Sequence, residues 1–128
     1  MDNKKAHIIY RLERSKEALE EATILYNNKK WNATINRIYY SCFYAVVALL
    51  LQHNIKTTTH DGVRNQFGFH FIKTKKIEKE YGRFFSLLFD YRLKGDYGDM
   101  FDFTEEQVSP LIKKVPEFLA EIKKHIQI

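Results

Sequence analysis

The sequence predicts an all-α protein, an up-and-down bundle of four to five helices, and three observations carry that expectation. Apolar residues recur at spacings of three, four and seven along several stretches, the period of one helix face. Glycine (5) and proline (2) are too scarce for the turns of an all-β chain. No stretch holds the two-residue alternation of a half-buried strand. With 128 residues, 45% apolar and 29% charged, the chain has room for a single domain (1–128) and too much apolar content for disorder.

The first helix spans 4–27, with Ile8, Ile9, Leu12, Ala18, Leu19, Ala22 and Leu25 forming the buried stripe and glutamates on the opposite face. Asn27-Asn28 is expected to end it, since asparagine tolerates the left-handed conformation. The second helix, 31–53, differs in kind: from Ile38 to Leu51 it carries no charge. That run is too short and too rich in tyrosine to cross a bilayer, which takes about 20 apolar residues, so no membrane is expected. A helix apolar around most of its girth needs cover on more than one side, and a homodimer through this helix would supply it.

Thr58 or Thr59 is placed to cap a third helix at about 60–72. A fourth follows at 77–94, burying Tyr81, Phe84, Phe85, Leu88, Phe89 and Leu93. Gly95-Asp96-Tyr97-Gly98-Asp99 reads as a loop. Thr104-Glu105-Glu106-Gln107 matches a capping box that opens a fifth helix, which Pro116 is expected to kink.

One cysteine, Cys42, excludes an internal disulfide and any multi-cysteine zinc site, and fits a reducing cytoplasm. His7, His53 and His125 have no metal-ligand spacing, so neither metal nor cofactor is expected. The net charge of +5 permits a nucleic-acid partner without demanding one. Residues 56–83 hold seven basic against three acidic side chains, and 90–106 six acidic against two basic. These are either two solvated faces or a basic wall for RNA and an acidic strip for a partner.

Arg37, beside Asn36, opens the uncharged run, and Tyr44 lies seven residues on, about two turns along the same face, with Tyr40 between them and Ser41 adjacent. An arginine along a tyrosine-lined stripe is either neutralised by a carboxylate, Asp96 or Asp99, or free to grip phosphate bidentately. Arg64 and His70 also read as Arg, five residues, His. Six residues along a helix leave them about 120° apart, so that pair is set aside.

The run 32–45 (Asn-Ala-Thr-Ile-Asn-Arg-Ile-Tyr-Tyr-Ser-Cys-Phe-Tyr-Ala) resembles the signature helix N-R-x-Y-Y-x-x-F-H-A of small stand-alone prokaryotic HEPN-domain proteins. Lys56 with Thr59-His60-Asp61-Gly62 resembles the family's K-T-H-S-G. Phe67-Gly68 with Phe71-Ile72-Lys73-Thr74 resembles F-G-x-x-F-V-K-T-G, Tyr81-Gly82-Arg83 resembles L-G-R, and the block 91–99 resembles R-x-x-A-D-Y-G-D. These blocks stand in order across nearly the whole chain.

The resemblance implies a HEPN-like bundle that dimerises, and for many members a metal-independent endoribonuclease whose Arg…His motif is completed across the dimer. It also implies a toxin paired with a nucleotidyltransferase antitoxin. Arg37 matches the motif arginine, but Tyr44 stands where the histidine belongs. A phenol with pKa about 10 is a poor general base, and losing a proton-transfer group costs about 10²–10⁴ in rate. The expectation is therefore a nucleotide- or RNA-binding module of a toxin–antitoxin or defence system with weakened or absent ribonuclease activity. An active ribonuclease toxin and a scaffold without nucleic acid are the alternatives. Arg37 and Tyr44 are the catalytic candidates, and Asn36, Arg37, Tyr40, Ser41 and His60 the phosphate- or RNA-binding ones. Tyr39, Tyr40 and Tyr44 are candidate acceptors of a nucleotidyl group, as the resemblance to modified toxins implies.

Overall fold

The computed structural model describes residues 3–127. Five α-helices follow one another: α1 (Asn3–Asn27), α2 (Trp31–Gln52), α3 (His60–Phe67), α4 (Lys79–Tyr97) and α5 (Glu105–Lys123), with a π-helical turn at Gly68–Ile72 after α3. No strand occurs among the described residues. The bundle is all-α, as the spacing predicts.

α2 is the axis. α1, α3, α4 and α5 all pack on it, and Ile35, Ile38, Tyr39, Cys42, Ala45, Val46, Ala48 and Leu49 are fully buried. Each large aliphatic side chain so buried contributes about 1.5–3 kcal/mol. By length and composition α2 would also span a bilayer, but its apolar surface is largely taken up by its own chain. Apolarity alone therefore does not require a second copy.

Small residues let α1 lie close to α2. Its buried positions are Ile8, Ser15, Ala18 and Ala22. Ile9, expected inside, is 38% exposed. The stripe runs instead through Ser15, whose hydroxyl donates to the Ser41 carbonyl (2.6 Å) while Ser41 donates back to the Ser15 carbonyl (2.9 Å). Two buried hydroxyls are thereby satisfied without a cavity.

The helix ends differ from expectation in instructive ways. The left-handed residue closing α1 is Lys29 (φ 59°), not an asparagine. Lys30 N–H reaches back to the Leu25 carbonyl, and Asn28 contributes its side-chain amide to the Ile24 carbonyl. Asparagine takes the left-handed role at the end of α2, where Asn54 has φ 60°. Thr59 caps α3, accepting from Gly62 N–H at 2.8 Å. Beyond Phe67 the helix widens, with Lys73 N–H bonded to the Gly68 carbonyl five residues back.

α4 runs three residues past the expected boundary, through Gly95. That glycine is not a turn residue: a Cβ there would press on the Phe103 ring at 3.2 Å. Gly98 ends the helix, where a Cβ would collide with the Lys94 carbonyl. On α4, Leu93 is 39% exposed and Arg92, at 7%, takes the buried position. The capping box forms as expected, Thr104 N–H donating to Gln107 Oε1 at 2.9 Å. α5 continues through Pro110 and Pro116 to Lys123.

Asn32 ties the start of α2 to the connection before α5. Its Nδ2 donates to the Phe101 carbonyl (2.9 Å) and its Oδ1 accepts from Phe103 N–H (2.8 Å). Asn32→Ala leaves that partly buried N–H unsatisfied and is expected to cost about 1–3 kcal/mol, read as a lower urea midpoint at unchanged slope.

Candidate functional site

The register of α2 turns Arg37, Tyr40 and Tyr44 toward one side, with Tyr39 and Phe43 one step around the helix. The Tyr40 ring is the hub of this face. Its centroid lies 5.1 Å from the Arg37 guanidinium carbon and 5.8 Å from that of Arg92. The His60 and Tyr44 rings each stand 5.8 Å away. Arginines from three helices thus meet one ladder of tyrosines: Arg14 of α1 over Tyr44 (5.5 Å), Arg37 of α2 over Tyr40, and Arg92 of α4 over Tyr39 (4.9 Å).

Arg37 is paired, but not with the carboxylate expected. Its Nη1 donates to Glu21 of α1 at 2.9 Å, and its Nε to Asn36 Oδ1 at 3.0 Å. Asp96 accepts instead from the Asn36 amide, at 2.9 Å. Glu21 won because α1 lies along this side of α2. The pair is partly solvated, with side chains 25% and 47% exposed. Such a bridge is worth about 0–1 kcal/mol, so an incoming phosphate can displace the carboxylate.

Arg92 is the residue that sequence reasoning missed. Its Nε is buried without a hydrogen-bond partner, and no carboxylate forms an ion pair with it among the described residues. The faces of Tyr39 and Tyr40 stabilise the charge in part, yet a buried cation without an anion is costly. Two signals were available: position 92 continues the spacing of Phe85, Leu88 and Phe89, and it is the arginine of the block that resembles R-x-x-A-D-Y-G-D. A charge on that stripe reads as either a misplaced residue or a functional one.

His60, the first residue of α3, stacks on Phe43 at 4.4 Å. Its Nδ1 lies 2.9 Å from the Tyr39 hydroxyl. Burial, and then the Arg92 charge, hold the imidazole below its ordinary value, while Asp61 pulls the other way. Burial pushes the Tyr39 phenol far above its usual range. Tyr39 is fully buried with its hydroxyl against His60, which makes it the least accessible of the three candidate acceptors. Tyr40 and Tyr44 are half-buried.

Ser41 does not join this face. It is fully buried and its hydroxyl is given to Ser15, so its expected phosphate contact is withdrawn. Arg64 and His70 have no partner in common. Arg64 lies over the Phe89 ring at 4.1 Å and reaches Asp61 and Asp90, while His70 bonds to Gln66. The Arg64–Asp90 contact also joins the basic stretch to the acidic one, so the two are not separate faces throughout. His53 reaches the His125 carbonyl, and His125 pairs with Glu121.

A group of guanidinium ions with half-buried phenol rings can hold phosphate oxygens and stack on bases. The neutral His60 adds an imidazole beside them. Because its folded pKa is depressed, the stability it contributes is present above about pH 6.5 and is lost as pH falls through the folded value. NMR titration should place the His60 midpoint below about 6.5, and Arg92→Met should raise it. An unmoved midpoint would show that Arg92 does not act on this ring.

A family model for the HEPN domain matches residues 9–125. A UPF0332 protein of Thermotoga maritima is 40% identical over 127 residues, covering 99% of this chain and 96% of its own. Two Methanocaldococcus jannaschii proteins, named "Putative toxin MJ0142" and "Putative toxin MJ0605", are each 34% identical, over 90% and 91% of this chain and 78% and 86% of theirs. On the match across nearly its whole length, the chain belongs to the HEPN domain family.

Proposed function

We propose that this protein is the toxin-side, RNA-binding HEPN module of a toxin–antitoxin or defence system, its cleavage weakened or absent because Tyr44 replaces the motif histidine. Arg92 carries the reading: a buried guanidinium with no carboxylate partner among the described residues, against the Tyr39 and Tyr40 rings, the second of which also meets Arg37 and His60, is a seat for a phosphate. Tyr40 and Tyr44 supply faces for bases. The toxin names of the two archaeal relatives support the system class. A homodimer through α2, a nucleotidyltransferase partner that modifies Tyr40 or Tyr44, and a cytoplasmic setting belong to the same proposal.

The test is fluorescence anisotropy with a labelled single-stranded RNA. Removing one charge-assisted contact of about 1.5–3 kcal/mol weakens binding roughly ten- to hundredfold, the effect expected of Arg37→Ala and of Arg92→Met. Arg92→Met should do so with stability unchanged or raised, since an apolar side chain replaces an uncompensated buried charge. RNA binding unaffected by both variants would leave a plain helical scaffold. Tyr44→His should raise cleavage in the presence of EDTA.

His60 favours a second reading, an active metal-independent ribonuclease in which this imidazole does the work of the missing one. It requires wild-type cleavage in EDTA that His60→Ala abolishes while RNA binding persists.

A further inference from the structure

Away from the tyrosine ladder, a cavity of about 600 Å³ opens between the start of α1, the end of α2 and the connection 54–58. Its size lies within the range that holds small ligands. Val47, Leu50, Leu51 and Ile55 line it as an apolar floor, and Lys4, His7, Arg11 and Lys56 supply positive or titratable groups. Among the described residues no carboxylate lines it. Lys4 donates to Asn54 at 3.1 Å. Arg11 and Lys56 form no ion pair among the described residues.

A second cavity of about 210 Å³ shares Arg11, Val47, Thr57 and Thr58 with the first and ends on Phe43 and His60. Those two rings both touch Tyr40. The two cavities therefore make one trough, leading from the amino-terminal cations of α1 to the arginine–tyrosine cluster. An apolar floor flanked by cations and hydroxyls fits a base attached to a phosphate. Continuity with the cluster fits a strand better than a free mononucleotide, because one ligand can then occupy both ends.

We infer that this trough is the path of the RNA strand leaving the arginine–tyrosine cluster, one base resting on the Val47–Leu51–Ile55 floor and adjacent phosphates held by Arg11 and Lys56. The inference rests on the RNA-binding reading above.

A labelled ten-nucleotide single-stranded RNA, titrated by anisotropy over a range of salt, tests it. The double variant Arg11→Ala/Lys56→Ala should bind about tenfold or more weakly. At about 0.7 per single-strand phosphate contact, its log–log salt slope should be shallower by about 1.4. Thr58→Glu, which sets a negative charge in the trough at an exposed position, should weaken binding in the same direction, with circular dichroism confirming a native helix content. Lys113→Ala/Lys114→Ala on α5 should bind as wild type. Adenosine monophosphate should compete only at far higher concentration than the unlabelled strand. Trough variants that bind as wild type while Arg37→Ala weakens binding would overturn the path and leave the proposed function standing. Mononucleotide competition as strong as the strand's would assign the trough to a free nucleotide instead. A wild-type protein that binds no RNA would sink both readings together.

Discussion

A guanidinium set against two tyrosine rings, with no carboxylate paired to it among the described residues, is the constraint around which the rest of the molecule is arranged. Arg92 sits on the inner face of α4, at a position that the helical spacing sends into the core. Tyr39 answers from α2 and is itself stacked on Phe85 and bonded to His60. Three helices are thereby pinned at one point by a contact whose electrostatic cost has not been cancelled internally. Hydrophobic burial elsewhere along α2 is ample enough to hold such a group in place. A buried charge without a counter-ion has to be stabilised by something else, and here the aromatic core does that.

Electrostatics along the tyrosine face are graded rather than uniform. Arg37 has a carboxylate that solvent weakens, Arg14 pairs loosely with Glu17 at 3.4 Å, and Arg92 has none among the described residues. An anion approaching from solvent would meet the two paired cations first and the uncompensated one deepest. Such a gradient draws an anion inward while keeping the outer surface free of a large unpaired patch. His60, held neutral by burial and by Arg92, does not add to the positive charge near pH 7.

Much of this was legible in the residues themselves. The five helices follow from spacing, the Thr59 and Thr104 caps from side-chain chemistry, and the aromatic face from the position of Arg37, Tyr40 and Tyr44. The errors have physical causes. Gly95 resembles a turn residue because glycine's two uses, backbone freedom and absence of bulk, look the same in one dimension; only the Phe103 ring distinguishes them. Arg92 and Leu93 compete for one inward position, and hydrophobicity backs the wrong one, because a π-face partner is invisible until α2 lies alongside. Ser41 is adjacent to Tyr40 in sequence yet about 100° away around the helix, where Ser15 takes its hydroxyl. The partner of Arg37 depends on how α1 packs, and no local pattern encodes that. The π-helical turn leaves no distinct mark in the sequence beyond Gly68.

The Asn36 amide, set between Arg37 and Asp96, has a consequence for how charge is distributed at the mouth of the tyrosine face. An amide accepts on one side and donates on the other, so it joins a cation to an anion without letting them touch. Were position 36 occupied by a short apolar side chain, nothing would stop Asp96 from closing on the guanidinium and quenching it. Asparagine thus behaves as a spacer: it keeps the Asp96 carboxylate occupied at arm's length and leaves part of the Arg37 fork available to whatever arrives from outside.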